Sequence, residues 1–351
     1  MATQTFGSRL IRSNTMAKQK KIRFALIGCS RIARKSAIPA IIDSKYAELV
    51  AVGSSHKEKA SSWAKEFDAQ IYGSYEEVLK SPLVDAVYIS LPNSLHEEWI
   101  LKALKAKKHV WCEKPTALSY ASAKRMVNVA EKNGVRLMEG FMFLSHPQHQ
   151  KVFELIKKET IGQVRGFEGR FTFPMPGSES NLLNKQMAGG SYNDSAVYPI
   201  RASQFIFGED PENVICSLVI DPKTGVDLES HMIITFPNNK FAQISSSFGP
   251  YFQSTYSVFG SQGVLSVKRA YAVPKDKKVR IYIERNDKTK EIIIPPADHF
   301  KLMIDQFCQE ILKRGKSNRN YEKELLSQAR ILEAGRRSHA KGRIVSLNEI
   351  I

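Results

Sequence analysis

Between residues 22 and about 140, apolar runs of strand length alternate with helical stretches, and this alternation restricts the fold of the 351-residue chain more than any other feature. Ile22 to Ile27 reads as a buried strand, Glu48 to Ser54 as a second, Val84 to Ser90 as a third, His109 to Glu113 as a fourth and Val135 to Glu139 as a fifth. Helical stretches separate them, among them Ser94 to Ala106 and Ser119 to Asn133, the latter with Ser119 placed to cap it. Strands alternating with helices imply a parallel, doubly wound α/β sheet. After Gly162 the character changes. Val164 to Phe173, Val214 to Ile220, His231 to Phe236, Phe241 to Phe248, Thr255 to Phe259, Val264 to Val267, Val279 to Ile283 and Glu291 to Ile294 follow one another as strands joined by turns such as Pro237-Asn238-Asn239. This pattern predicts an α+β domain with a large, open, mostly antiparallel sheet. Helices over His299 to Lys313 and Tyr321 to His339 follow, the last expected to pack back on the first domain. The expected division is a basic leader, tag or extension over 1–20, a doubly wound domain over 21–140, and an α+β domain over 141–351.

Composition supports two ordinary cores, with 42% apolar residues, and the longest apolar runs are strand-sized rather than membrane-spanning. The basic residues before Arg23 lack the apolar stretch of a secretory signal, so a tag, a leader or translation from Met16 is expected there. Cys29, Cys112, Cys216 and Cys308 are widely spaced, which suits free thiols in the cytoplasm rather than zinc or disulfides. The formal charge of +17 comes from scattered lysines and arginines without a nucleic-acid-binding motif. It suits attraction of small polyanions such as phosphorylated cofactors and nucleotide-linked substrates. Neither nucleic acid nor membrane is an expected partner.

Where the first strand ends, Gly28-Cys29-Ser30-Arg31-Ile32-Ala33 fits G-x-G-x-x-A, with Ser30 in place of the middle glycine. In such a turn the first glycine makes the bend, the second admits a pyrophosphate, and the following helix offers free N–H groups. Ser30 keeps the N–H but crowds the approach. The second strand ends in Gly53-Ser54-Ser55-His56-Lys57 without the acid that would bind the ribose of NAD. Ser54, Ser55 and Lys57 suit a 2′-phosphate, so NADP is favoured over NAD. Leu91, Asn93 and His96 follow the third strand at the carboxyl edge, where cofactors bind, although His96 suits packing equally well. Glu113-Lys114-Pro115 ends the fourth strand, and Pro115 favours an extended Lys114.

Downstream, Gly189-Gly190 precedes Asp194 and Tyr198, which are four residues apart and fall on one helical face. Lys114 is expected to hold a substrate oxygen as negative charge grows on it, and Tyr198 to pass the proton. A lysine cation nearby is expected to favour the phenolate, bringing a group with an ordinary pKa of about 10 closer to use. Asp194 would orient Lys114 or bind a substrate hydroxyl, unless it serves as a helix N-cap. Arg201 would meet a substrate phosphate, or simply a neighbouring acid. His146 and His149 lack the further ligands a metal would need, so no metal site is expected.

The order of G-C-S-x-I-A, Leu91-Pro92-Asn93-x-x-His96, Cys112-Glu113-Lys114-Pro115 and Gly189-Gly190-x-x-x-Asp194-x-x-x-Tyr198 resembles the glucose/fructose oxidoreductase, inositol dehydrogenase and MocA (Gfo/Idh/MocA) family over roughly residues 20 to 345. The resemblance implies a Rossmann domain, with Gly28 to Ile32, Glu113 and Lys114 at the cofactor, and an open sheet whose free face makes a homodimer or homotetramer. Many members have histidine at Tyr198. The tyrosine form is similar to glucose/fructose oxidoreductases, dihydrodiol dehydrogenases and sugar 3-ketoreductases. The segment Phe141 to Pro147 and the segment Asn181 to Asn184 lack arginines common in relatives. The resulting expectation is an NADP-dependent oxidoreductase acting on a sugar carbonyl or alcohol, first of all a keto-sugar reductase, with nucleotide-linked 3-keto-6-deoxyhexoses among its substrates. The alternatives are an aldose or trans-dihydrodiol dehydrogenase and, in another class, a catalytically silent NADP-binding sensor or scaffold.

Overall fold

The computed structural model describes residues 20–313 and 319–351. The leader expected over 1–20 lies, apart from its last residue, outside the described residues. The first sheet contains β1 (Ile22–Ile27), β2 (Ala47–Gly53), β3 (Ile71–Gly73), β4 (Ala86–Ile89), β5 (His109–Cys112) and β6 (Leu137–Glu139) in the order β3-β2-β1-β4-β5-β6. Every neighbouring pair is parallel. Phe24, Ala25, Leu26 and Ile27 are all fully buried, which is why β1 reads as an unbroken apolar run rather than an alternating one.

A helical segment, wound as a π-helix over Ala33–Ala37 and continuing as α1 (Ile38–Ile42), follows β1. Then come α2 (Lys57–Glu66), α3 (Tyr75–Lys80), α4 (His96–Lys105) and α5 (Tyr120–Asn133). Ser119 accepts from the Ser122 N–H at the start of α5, and Gly134 ends it in the left-handed region, so the expected cap is present. The sequence reading missed β3, a strand of only three residues.

The second sheet is built from β7 (Val164–Phe173), β8 (Asn213–Ile220), β9 (Asp227–Phe236), β10 (Lys240–Phe248), β11 (Gln253–Gly260), β12 (Val264–Val267), β13 (Val279–Arg285), β14 (Lys288–Ile294) and β15 (Val345–Ser346). Its order is β14-β13-β12-β11-β7-β10-β9-β8-β15, antiparallel except where β7 meets β10. The helices α6 (Pro147–Lys157), α7 (Val197–Phe207), α8 (His299–Leu312) and α9 (Tyr321–Lys341) belong to this half of the chain. On β9 and β10, Met232, Ile234, Ala242 and Ile244 face inward, while Ile233 and Phe241 face out. The outward face also carries Arg170, Gln243 and Ile215.

A continuous apolar core joins one face of the first sheet to the inner face of the second, from Phe24 and Trp111 through Phe143 to Phe167 and Ile244. The other face of the first sheet packs on Trp99, Ile100, Ala123 and Met126, and α9 adds Leu325 and Ala329 to it. Farther along α9, Ile331 and Leu332 enter the larger core. Near the helix start, Glu322 pairs with Arg136 beside β6 at 2.9 Å. No helix among the described residues is long and apolar enough to cross a membrane.

Candidate active site

A cleft of about 730 Å³ opens at the carboxyl ends of β1, β2 and β4, where the strand order reverses, and runs to the start of α7. Gly28 lies at its base with φ +100°, and a Cβ there would come within 2.8 Å of Leu91. The position therefore accepts glycine for both backbone and packing reasons. Ser30 donates to Ser90 Oγ at 2.9 Å and accepts from the Ala33 N–H at 3.1 Å, and Ser90 in turn donates to the Gly28 oxygen. The hydroxyl expected to crowd a pyrophosphate is thus occupied tying the turn to the end of β4.

Cys29, Arg31, Ile32, Ser54, Ser55, Leu91, Asn93 and Glu113 all line the cleft. Lys57 does not. It opens α2 as an exposed residue, whereas Lys59, two positions on and so roughly on the opposite side of the helix, faces the cleft with His56. His96 is also absent from the lining. It is buried behind it, with its ring nitrogens against the Pro115 and Leu91 carbonyls.

At the far end, the Lys114 ammonium donates to Asp194 Oδ1 and to the Asp194 main-chain oxygen. It sits 4.9 Å from the centre of the Tyr198 ring. Tyr198 packs edge-on to Phe141 and Phe171, and its hydroxyl comes 4.0 Å from Met142 Sδ. Asp194 and Tyr198 share a face because the π-turn Tyr192–Ala196 runs directly into α7, and Asp194 is inside that turn rather than capping it. The turn is anchored from below. Buried Asp227 accepts from the Tyr192 N–H at 2.6 Å and from Ser191 Oγ at 3.0 Å, and a side chain at Gly190, whose φ is +106°, would collide with it. Asn93 and Asn193 both donate to the Ala188 oxygen, which fastens the two sides of the cleft together.

Burial disfavours the charge on Lys114, but Asp194, Tyr198 and Glu113 outweigh it and hold the ammonium pKa above the ordinary lysine range. The net effect on the Tyr198 pKa runs opposite to the expected one. Burial pushes its pKa above the ordinary tyrosine value, and the opposing pull of Lys114 is smaller. The phenol is therefore protonated at neutral pH. Burial likewise raises Glu113, which accepts a hydrogen bond from Tyr88 at 2.8 Å.

Arg201 does not reach the cleft. Its guanidinium is buried and pairs with Glu324 of α9 at 2.6 Å, so the neighbouring-acid reading describes it and the substrate-phosphate reading does not. His146 caps α6, while His149 binds Tyr256 and the Ala270 oxygen. Sequence reading missed Met142, Phe173, Met187 and Phe300 in the lining, as well as the rim from Ser180 to Leu182. Lys59 was legible from its helical spacing to Lys57. Phe300 carries no local signal.

A doubly wound sheet whose cleft begins at a glycine turn and ends at an ammonium, a carboxylate and a phenol defines a dinucleotide-dependent oxidoreductase. The chain belongs to the GFO/IDH/MocA oxidoreductase family: the family's NAD-binding Rossmann model matches residues 22–141, and its C-terminal domain model matches residues 149–266. It is 33% identical to the dTDP-3,4-didehydro-2,6-dideoxy-alpha-D-glucose 3-reductase of Actinomadura kijaniata over 91% of this chain and 96% of that one. It is 29% identical to D-xylose 1-dehydrogenase (NADP(+)) 2 of Haloferax volcanii over 93% of this chain and 99% of the relative. The solved structure of KijD10, a 3-ketoreductase from Actinomadura kijaniata in complex with NADP and TDP-benzene, superposes with a TM-score of 0.87 at 33% identity, covering 91% of this chain and 98% of that one.

Proposed function

We propose that this protein is an NADP-dependent reductase of a keto-sugar, including nucleotide-linked 3-keto-6-deoxyhexoses. The observation that carries the reading is the Lys114, Asp194 and Tyr198 set at the end of a dinucleotide cleft. The fit to the cofactor rests on Gly28, where a Cβ would collide with Leu91, and on a cleft that continues from Ser54 and Lys59 to Lys114. Gly28 to Ile32 would hold the pyrophosphate, Ser54, Ser55 and Lys59 the 2′-phosphate, and Asn93, Glu113 and Lys114 the nicotinamide end. NADPH, when bound, supplies hydride to the carbonyl carbon.

The protein's own part is electrostatic and protonic. The Lys114 ammonium, oriented by Asp194, stabilises negative charge growing on the substrate oxygen, and a fixed cation in a partly dehydrated site does this without reorganising. Tyr198, held as the neutral phenol, gives its proton to that oxygen. Positioned acid assistance of this kind contributes roughly 10² to 10⁴ in rate. With its pKa raised, Tyr198 is in the proton-donating form that reduction requires. The names of the reductase and xylose dehydrogenase relatives support a sugar substrate and NADP.

A second reading, oxidation of an aldose or a trans-dihydrodiol, is favoured by the xylose dehydrogenase and by a similar trans-1,2-dihydrobenzene-1,2-diol dehydrogenase. The silent NADP-binding scaffold has less support, since the three chemical groups are present and in contact. We place the enzyme in the cytoplasm, which suits its four unpaired cysteines. We also infer a homodimer or homotetramer, formed where the outward face of the second sheet with Ile215, Ile233 and Phe241 meets a second copy. The test is turnover of dTDP-3,4-didehydro-2,6-dideoxy-alpha-D-glucose with NADPH by Tyr198→Phe and Lys114→Ala. Both should bind NADPH and lose turnover; near-normal rates in both would remove the mechanism.

A further inference from the structure

His96 begins α4 yet is turned away from the cleft, with 1% of its surface exposed. Its Nδ1 lies 2.9 Å from the oxygen of Pro115, the residue after Lys114, and its Nε2 lies 2.9 Å from the oxygen of Leu91, which lines the cofactor side. Carbonyl oxygens only accept hydrogen bonds. A neutral imidazole has one N–H, so it can satisfy one of these two oxygens and must set a lone pair against the other.

Burial, reinforced by Lys114 and opposed by the two carbonyls, holds the His96 pKa below its ordinary value, so the ring is neutral at pH 7. Neighbouring carboxylates are committed elsewhere: Glu97 to Arg125, Glu98 to Lys102, Glu113 to Tyr88 and Glu139 to the Thr116 N–H. The single proton therefore has to choose. The Pro115 contact is fully buried, whereas the Leu91 contact is only partly so. An unserved carbonyl costs more where water cannot reach it.

We propose that His96 is a positioning residue for Lys114. As the Nδ1–H tautomer it donates to the Pro115 oxygen and fixes the far side of the turn whose near side presents the ammonium to Asp194. The Thr116 N–H, held by Glu139 at 2.8 Å, fixes the next residue of the same turn. The inference rests on the role given above to Lys114. Its consequence is kinetic. Loosening a support of this kind displaces a charge that must meet a developing oxyanion, and such supports are commonly worth about 10- to 100-fold.

Asparagine and glutamine separate the two bonds. The amide nitrogen of Asn reaches approximately the place of Nδ1, and that of Gln the place of Nε2. We would compare His96→Leu, His96→Asn, His96→Gln and Lys114→Ala in the full chain. Turnover is read with dTDP-3,4-didehydro-2,6-dideoxy-alpha-D-glucose and NADPH and with D-xylose and NADP+, and NADPH Kd by fluorescence. His96→Leu should lose about 10-fold or more in kcat while NADPH Kd stays within about threefold, with Asn restoring most of the loss and Gln little of it. A kcat for His96→Leu within about twofold of the parent, rescue by Gln rather than Asn, or a change confined to NADPH Kd would each overturn the assignment. If Lys114→Ala turns over normally, the role of Lys114 falls first. If it is dead and His96→Leu is not, only the role of His96 falls. Should the variants fail to fold, the ring ¹⁵N shifts of His96 in the parent protein decide: protonated Nδ1 is expected, and protonated Nε2 overturns the proposal.

Discussion

The Lys114 ammonium holds Asp194 at two points, 2.8 Å from Oδ1 and 2.8 Å from the main-chain oxygen. The second contact survives any change of the Asp194 side chain. Asp194→Ala should therefore keep Lys114 near its place but remove the carboxylate that raises its pKa. Because the charged form is the active one, the alkaline limb of kcat/KM should move to lower pH, with kcat reduced about 10- to 100-fold. A pH–rate profile checks this, and an unmoved limb speaks against Asp194 as the partner that sets the lysine charge.

The Tyr198 pKa decides which direction of the reaction carries its pH dependence. Reduction uses the phenol, whose raised pKa keeps it protonated through neutral and mildly alkaline pH, so the rate should stay flat from about pH 6 to 9. Oxidation needs the phenolate and should climb about tenfold per pH unit over the same range. Measuring kcat/KM in both directions on one substrate tests this; a reduction rate that already falls about tenfold per unit across this range beside a flat oxidation rate would argue for a proton carrier of lower pKa.

Lys59 faces the cleft and Lys57 does not. Lys59→Ala should weaken NADPH by about 10-fold while leaving NADH within about twofold, and Lys57→Ala should change neither, as titration of both cofactors will show. Ser54→Asp should move the preference toward NAD.

Cys29 lies in the glycine turn after β1 and lines the cleft, whereas Cys112, Cys216 and Cys308 are buried. N-ethylmaleimide should inactivate the enzyme through Cys29, NADPH should protect it, and Cys29→Ser should resist. Burial pushes the Cys29 thiol pKa up, so inactivation should be faster at pH 9 than at pH 7. Peptide mapping of the labelled site is the readout.

His146, His149 and His299 are buried, and burial lowers their pKa values to about 4, about 3 and about 3. Between these values and 6.5 the unfolded chain binds protons that the native state refuses, so stability is lost as pH falls through that window. Each such group contributes on the order of 1.4 kcal/mol per pH unit there. Glu139, raised by burial to about 7, works in the opposite direction between 4.5 and 7 and offsets part of the loss. Urea midpoints at pH 7.5 and pH 5 should show a net fall, and His299→Phe should reduce it.

Most of the architecture is legible from periodicity, because fully buried parallel strands and half-buried antiparallel ones leave different patterns. Phe24 to Ile27 is apolar throughout, while Met232-Ile233-Ile234 alternates in exposure although its composition does not. The three residues of β3 are too few to show any period. At the site, motifs brought Lys114, Asp194 and Tyr198 into view because each sits at the end of a regular element. The destination of a long side chain is a tertiary matter. Nothing near Arg201 announces Glu324, 123 positions later, and nothing near Met142 announces Phe300 across the cleft. The expected lowering of the Tyr198 pKa is reversed for an energetic reason: a cation nearby was visible in the sequence, but the aromatic wall that excludes water from the phenol was not.

The helix α9 gives the chain an unusual order of completion. Leu325 and Ala329 finish a core whose other members come from residues 25 to 137, and Arg136 meets its partner Glu322 only when that late helix arrives. During synthesis the first domain would wait, with both faces of its sheet incompletely covered, until the second has been made. A fragment ending near residue 140 should therefore be sticky and prone to chaperone capture, and supplying the α9 segment in trans should quiet it only in part.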